Sequence, residues 1–167
     1  VDYIKDKLRS STVYTEDSRW NQAVFVQHSF KGDLFGTELG LRHDKNQQFG
    51  SENTWNAALN LPVGQSNEFI LSYAEGFRAP TFNDLYYPDF CFPGGCIKQA
   101  NPDLKSEKSK SYELQWRSQL ANTVALETSL YRTDIRNAIV LDEFYIPQNA
   151  PEVRINGFET SLQHVFF

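Results

Sequence analysis

Apolar and polar residues alternate with period two along nearly the whole chain, and this pattern restricts the fold more than any other feature. In residues 67–78, Phe69, Leu71, Tyr73 and Phe77 fall on one side of an extended chain, and Glu68, Ser72, Gly76 and Arg78 on the other. Trp55, Ala57, Leu59 and Leu61 oppose Thr54, Asn56, Ala58 and Asn60 in the same way. So do Tyr112, Leu114 and Trp116 against Glu113, Gln115 and Arg117, and Val124, Leu126 and Leu130 against Glu127 and Ser129. With further extended stretches at 1–8, 18–30, 34–43 and 153–167, about eight strands are predicted. The second alternates poorly, because Val24, Phe25 and Val26 are consecutive. Helix signals are few. The predicted fold is all-β, an antiparallel up-and-down meander, and 167 residues with 40% hydrophobic content hold one unit.

The predicted connections differ in length. Those at 31–33, 62–66 and 118–122 are tight, whereas 9–17, 44–52, 79–109 and 142–152 are long; short turns at one end and long loops at the other suit a membrane barrel. Mean hydropathy is −0.52 and no unbroken apolar run exceeds four residues, so a membrane-spanning helix is excluded. A barrel strand, which averages out polar, is not. Tyr73, Phe77, Tyr112, Trp116 and Tyr131 fall toward strand ends, where interfacial aromatic girdles stand, although aromatics favour strands in general. The polar stripe, with Asn56, Asn60, Ser72, Glu113, Gln115 and Arg117, suits a wet bore or contact with a polar plug. A soluble β-sandwich that binds carbohydrate through exposed Trp and Tyr is the competing architecture.

A formal charge of −5 gives no positive field for phosphate backbones, so no nucleic-acid partner is expected. Cys91 and Cys96, in a Pro/Gly segment, suit a small disulfide loop in an oxidising compartment. His28, His43 and His164 are scattered and Asp17, Asp44 and Asp89 dispersed, so no metal site is nominated. No catalytic residue is nominated either. The carboxylates Glu127 and Glu159 are the only candidate glycosidase pair, and both fall on a polar stripe where solvated acids are ordinary.

One stretch points to a family. Glu75-Gly76-Phe77-Arg78-Ala79-Pro80-Thr81-Phe82-Asn83-Asp84-Leu85-Tyr86 is followed by Asn101-Pro102-Asp103-Leu104-Lys105-Ser106-Glu107-Lys108-Ser109 leading into Tyr112-Glu113. Pro80 and Pro102 cannot donate ladder hydrogen bonds, so they mark where pairing stops and where the long loop nears its end. The pair of motifs resembles the barrel of TonB-dependent outer-membrane receptors, and Leu130-Tyr131-Arg132-Thr133-Asp134 and Ile155-Asn156-Gly157-Phe158-Glu159 resemble strands that follow them. Upstream, Leu41-Arg42-His43-Asp44 and Thr54-Trp55-Asn56 are most similar to the cobalamin receptors of that family.

The resemblance implies a segment of a transmembrane β-barrel of about 22 strands around a plugged lumen. Residues 1–167 are then part of the barrel domain, without the plug, the TonB-contacting segment or the closing strand. It also implies an outer-membrane location, lipid around the barrel, cobalamin as transported ligand, TonB as energy-coupling partner and no enzymatic chemistry. A siderophore or haem receptor of the same architecture is the alternative. Calcium-binding acidic loops, where the full receptor has them, lie outside this segment. An isolated piece has open edges and is expected to self-associate or need detergent. Arg78, Tyr86, Tyr87, Phe90 and Phe92 in the longest loop form the candidate ligand cluster, able to pack on a flat corrin ring or on one another. Cys91 and Cys96 are its staple.

Overall fold

A computed structural model describes residues 1–166; Phe167, at the end of the last predicted strand, lies outside the described residues. Eight strands form one antiparallel sheet in which every neighbour in the sheet is the next long strand of the chain. They are β1 (Asp2–Lys7), β2 (Ser18–Lys31), β3 (Gly36–Asn46), β4 (Gly50–Val63), β5 (Asn67–Arg78), β8 (Glu107–Ala121), β9 (Val124–Leu141) and β10 (Pro147–His164). Within the loop between β5 and β8 sit a short helix, α1 (Phe82–Tyr86), and a small hairpin of β6 (Phe90–Phe92) and β7 (Gly95–Ile97). Gly64, at φ 66°, supplies the left-handed residue that the tight β4–β5 turn requires.

Register turns the alternation into two chemically opposite faces. Leu59, Leu71, Leu114, Leu130 and Phe158 stand side by side across β4, β5, β8, β9 and β10. Aromatic lines run on either side of this row. Toward the long loops Trp55, Tyr73 and Tyr112 follow one another at ring separations of 4.4 and 5.1 Å, and toward the short turns Phe69 lies beside Trp116 at 6.3 Å. No second layer covers this face among the described residues, and its side chains are open: Leu41 is 62% exposed and Phe158 63%. A water-soluble sandwich would have buried them.

The other face pairs polar groups with one another. Asn60 Nδ2 donates to Glu68 at 2.7 Å, Gln115 Nε2 to Glu127 at 2.7 Å, and Asn21 Nδ2 to Asp44 at 2.9 Å. Asp44, 8% exposed, also accepts from Arg42 Nε at 2.7 Å, and Arg42 Nη1 reaches Asp2 at 2.9 Å. Phe25, which disturbs the alternation of β2, is accommodated on this face because it pairs with Arg42 and its ring lies 5.8 Å beneath the guanidinium. Glu127 and Glu159 are on this face too, occupied with Gln115 and with the Tyr131 hydroxyl respectively.

Three expectations are corrected. The predicted long connection at 44–52 is a tight turn between Asn46 and Gly50, closed by Asn46 Oδ1 accepting from Gln48 and Phe49 N–H at 3.0 and 3.2 Å. That at 142–152 shrinks to 142–146, because β10 begins at Pro147 and not at 153. At 44–52 both flanking strands, and at 142–152 β10 alone, run on past the apolar stripe, where both faces become polar and the sequence imitates a loop. Tyr131 is not in a girdle: it pairs with Glu113 and Gly157 on the polar face, its ring occupying the space a Cβ at Gly157 would need.

Candidate functional site

The long loop, residues 79–106, folds back onto the strand ends through contacts made by its own motifs. At its neck Arg78, the last residue of β5, pairs in register with Glu107, the first of β8, and their side chains form an ion pair. The second Glu107 oxygen accepts the Ile139 N–H at 2.6 Å. Arg78 foremost, aided by that N–H, holds the Glu107 carboxyl below the usual carboxylate range, and the same contact raises the Arg78 guanidinium above its ordinary value.

Pro80 is fully buried, and its carbonyl accepts from Arg19 Nη1 at 2.6 Å while the Arg19 guanidinium stacks 4.9 Å over the Phe82 ring. Thr81 and Asp84 then start α1 with a reciprocal capping box, at 3.2 Å from Asp84 N–H to Thr81 Oγ1 and 2.8 Å from Thr81 N–H to Asp84 Oδ2. This turn buries Leu85. Asn101 closes the other side of the loop. Its N–H donates to the Asp84 carbonyl at 2.8 Å and its Nδ2 to the Pro147 carbonyl at 3.0 Å, tying α1 to the start of β10. Asn149 of β10 exchanges two hydrogen bonds with the backbone of Lys105 at 2.7 and 3.0 Å, beside buried Leu104.

The predicted cluster divides on this framework. Arg78 is committed to Glu107 at the neck. Tyr86 accepts from Gln48 Nε2 at 2.5 Å, and Tyr87 meets Tyr14 edge to face at 6.1 Å. These residues bind neighbouring loops. Phe90 and Phe92 stand apart on the β6–β7 hairpin, which the Cys91–Cys96 disulfide crosses, and are 60% and 48% exposed. Among the five, they are the rings that project most freely toward solvent. Arg19, Asn101 and Asn149 escaped the sequence reading as site-building residues. Of these, only Asn101 lies in the motif that the sequence singles out, next to Pro102.

An unroofed single-layer sheet with one apolar face, one hydrogen-bonded polar face and a folded loop at one end is one wall of a membrane barrel. The family model described as TonB dependent receptor-like, beta-barrel matches residues 2–166. The chain belongs to that family. TonB-dependent receptor barrels are outer-membrane structures of Gram-negative bacteria, and the family is one of receptors and transporters, not enzymes. The vitamin B12 transporter BtuB of Vibrio vulnificus is 34% identical over 95% of this chain, and that of Photobacterium profundum 31% over 95%. The chain spans 26% of the length of each. Among solved TonB-dependent receptors, the siderophore receptor PirA of Pseudomonas aeruginosa superposes with a TM-score of 0.73 at 18% identity, over 86% of this chain and 28% of PirA. A mutant of the ferric enterobactin receptor PfeA of the same organism gives 0.70 at 18% identity, over 87% and 24%. At that identity the likeness is one of fold. In outer-membrane barrels the short turns are periplasmic and the longer loops extracellular.

Proposed function

We propose that the chain is a portion of the barrel of a longer receptor that binds cobalamin at the cell surface and imports it with energy relayed by TonB. The observation that carries this reading is identity above 30% across nearly the whole chain to two proteins named as vitamin B12 transporters. The polar face, with the Asp2–Arg42–Asp44–Asn21 network, lines the wet interior. Phe90 and Phe92 supply flat apolar surface for a corrin ring on a hairpin whose disulfide limits its freedom, Tyr86 and Tyr87 hold the base of that hairpin, and Arg78 fixes the neck.

Equilibrium binding of cyanocobalamin to the whole receptor in detergent tests the ligand, with ferric siderophores and haem as comparators. Saturable binding of cyanocobalamin alone is expected. Binding of a ferric siderophore or haem without cyanocobalamin would replace this reading by the alternative receptor type. Truncating both rings, Phe90→Ser with Phe92→Ser, is expected to weaken cyanocobalamin binding about tenfold or more, in line with the loss of two exposed aromatic contacts.

A further inference from the structure

A glycine inside a strand gives up side-chain packing, and Gly157 of β10 does so although its backbone does not ask for it. Its φ lies outside the left-handed region that favours glycine. What excludes a side chain there is Tyr131. The two residues are partners across the β9–β10 ladder, and a Cβ at position 157 would meet Cζ, Oη and Cε1 of the Tyr131 ring well inside van der Waals contact. The ring therefore lies flat across the bare backbone of β10 and spends its hydroxyl sideways, donating to Glu159 at 3.2 Å. Among the described residues it is the only aromatic side chain on the polar face of β8, β9 and β10.

Gly40 and Gly76 on the same face are covered too, but by short polar groups. The amide nitrogen of Asn56 lies 2.7 Å from where a Cβ of Gly40 would stand, and the Ser109 hydroxyl 2.5 Å from that of Gly76. Those tips can turn aside without changing the height of the wall. A tyrosine ring cannot. On its other side Glu113 of β8 stands directly across the ladder, and Ser129 and Thr133 flank it along its own strand. Barred from Gly157, the ring has to take another staggered rotamer and rise off the sheet into the bore.

The lengths of the related proteins indicate what the bore holds. The two vitamin B12 transporters are about four times as long as this chain, and about 22 strands at its rate of eight per 167 residues would use roughly 460 residues, leaving about 180, enough for a further domain. Barrels of that size have a plugged lumen.

We propose that Tyr131 folded over Gly157 is a seat for that plug, a flattened stretch of inner wall whose level is set by the glycine and against which the plug packs by shape. The ring turns an uncharged facet to the bore, with its one polar atom already used on Glu159. Packed protein surfaces meet at the density of an interior, so a ring raised by the width of one methyl group over-packs the contact. Tyr131 and Gly157 are positioning residues. The inference rests on the barrel architecture and not on which nutrient is carried.

The test uses the whole receptor in detergent and reads amide hydrogen exchange in the plug without any ligand, so its outcome is separate from that of the cyanocobalamin binding experiment. Gly157→Ala is expected to speed exchange of the plug amides about tenfold or more, the effect of one over-packed contact. Adding Tyr131→Ala to that variant is expected to bring exchange back to within about threefold of wild type, because the new methyl then has no ring to lift. Gly40→Ala, whose methyl displaces only the tip of Asn56, is expected to stay within about threefold as well. All three variants should keep heat-modifiable migration. Unchanged plug exchange in Gly157→Ala, no recovery in the double variant, or an equal effect of Gly40→Ala would overturn the seat. So would loss of heat-modifiable migration in Gly157→Ala, which would place the work of the pair in closing the barrel.

Discussion

Glu107 ties the neck of the loop to β9, because one carboxylate serves the Arg78 guanidinium and the Ile139 N–H together. Its proton affinity is lowered by folding, so the stabilisation it gives is complete above the ordinary carboxylate pKa and is lost as pH falls through the depressed folded value. Hydrogen exchange at the Ile139 amide, corrected for intrinsic rate, should therefore stay slow through the mildly acidic range and quicken only below the ordinary carboxylate range. Glu107→Ala should make it fast at every pH. Arg19 acts at a second point. It is 12% exposed at the side chain and satisfies the carbonyl of fully buried Pro80, so Arg19→Ala leaves a buried acceptor without a partner. A cost of about 1.5–3 kcal/mol to local loop stability is expected, read as faster proteolytic nicking in residues 79–87. Arg19→Lys should recover only part of it, since an ammonium does not reproduce the planar stack on Phe82.

At the scale of elements, strands whose one face meets hydrocarbon are legible because burial there imposes strict alternation; the pattern predicts a strand at 67–78, and β5 is Asn67–Arg78. The same rule explains the misses. Beyond the apolar stripe both faces are wet, the constraint lapses, and Asp44–Asn46 and Pro147–Glu152 carry mixed side chains though their backbones still pair. The loop motif was recognisable as a pattern, yet its work was not: no periodicity reveals that Asn101 will bridge Asp84 and Pro147, since that bridge joins residues 17 and 46 positions apart. The Cys91–Cys96 pair was legible from spacing and turn residues. Closing so short a loop removes denatured-state freedom worth about 2 kcal/mol. Cys91→Ser with Cys96→Ser should thus loosen the hairpin while the main sheet, which shares no strand with it, keeps its heat-modifiable migration. Hydrogen exchange confined to 88–98 is the expected difference.

For the whole molecule the decisive property is that the sheet has an orientation with respect to two solvents, and adjacent residues of one strand test it. Leu71 stands in the middle row of the open apolar face, between Leu59 and Leu114, whereas Ser72, the next residue, stands on the other face between Ala58 and Glu113. A lysine at position 71 would carry its charge into the middle of the hydrocarbon band, too far from either interface to snorkel fully, at a cost of about 2–4 kcal/mol. A lysine at position 72 would enter the watery interior directly opposite a carboxylate, where opposite charges across a ladder are worth about 0.2–1 kcal/mol in its favour. In the whole receptor refolded into lipid vesicles, Leu71→Lys should lower the unfolding free energy by that larger amount and Ser72→Lys should leave it within about 1 kcal/mol of wild type. A soluble sandwich would also punish Leu71→Lys, so the discriminating measurement is the dependence on bilayer thickness. The penalty should shrink in thin, short-chain lipid, where the ammonium comes within reach of headgroups, and grow in thick lipid. A penalty unchanged by chain length would mean that Leu71 meets protein and not lipid, and the outward assignment of the entire apolar face would fall with it.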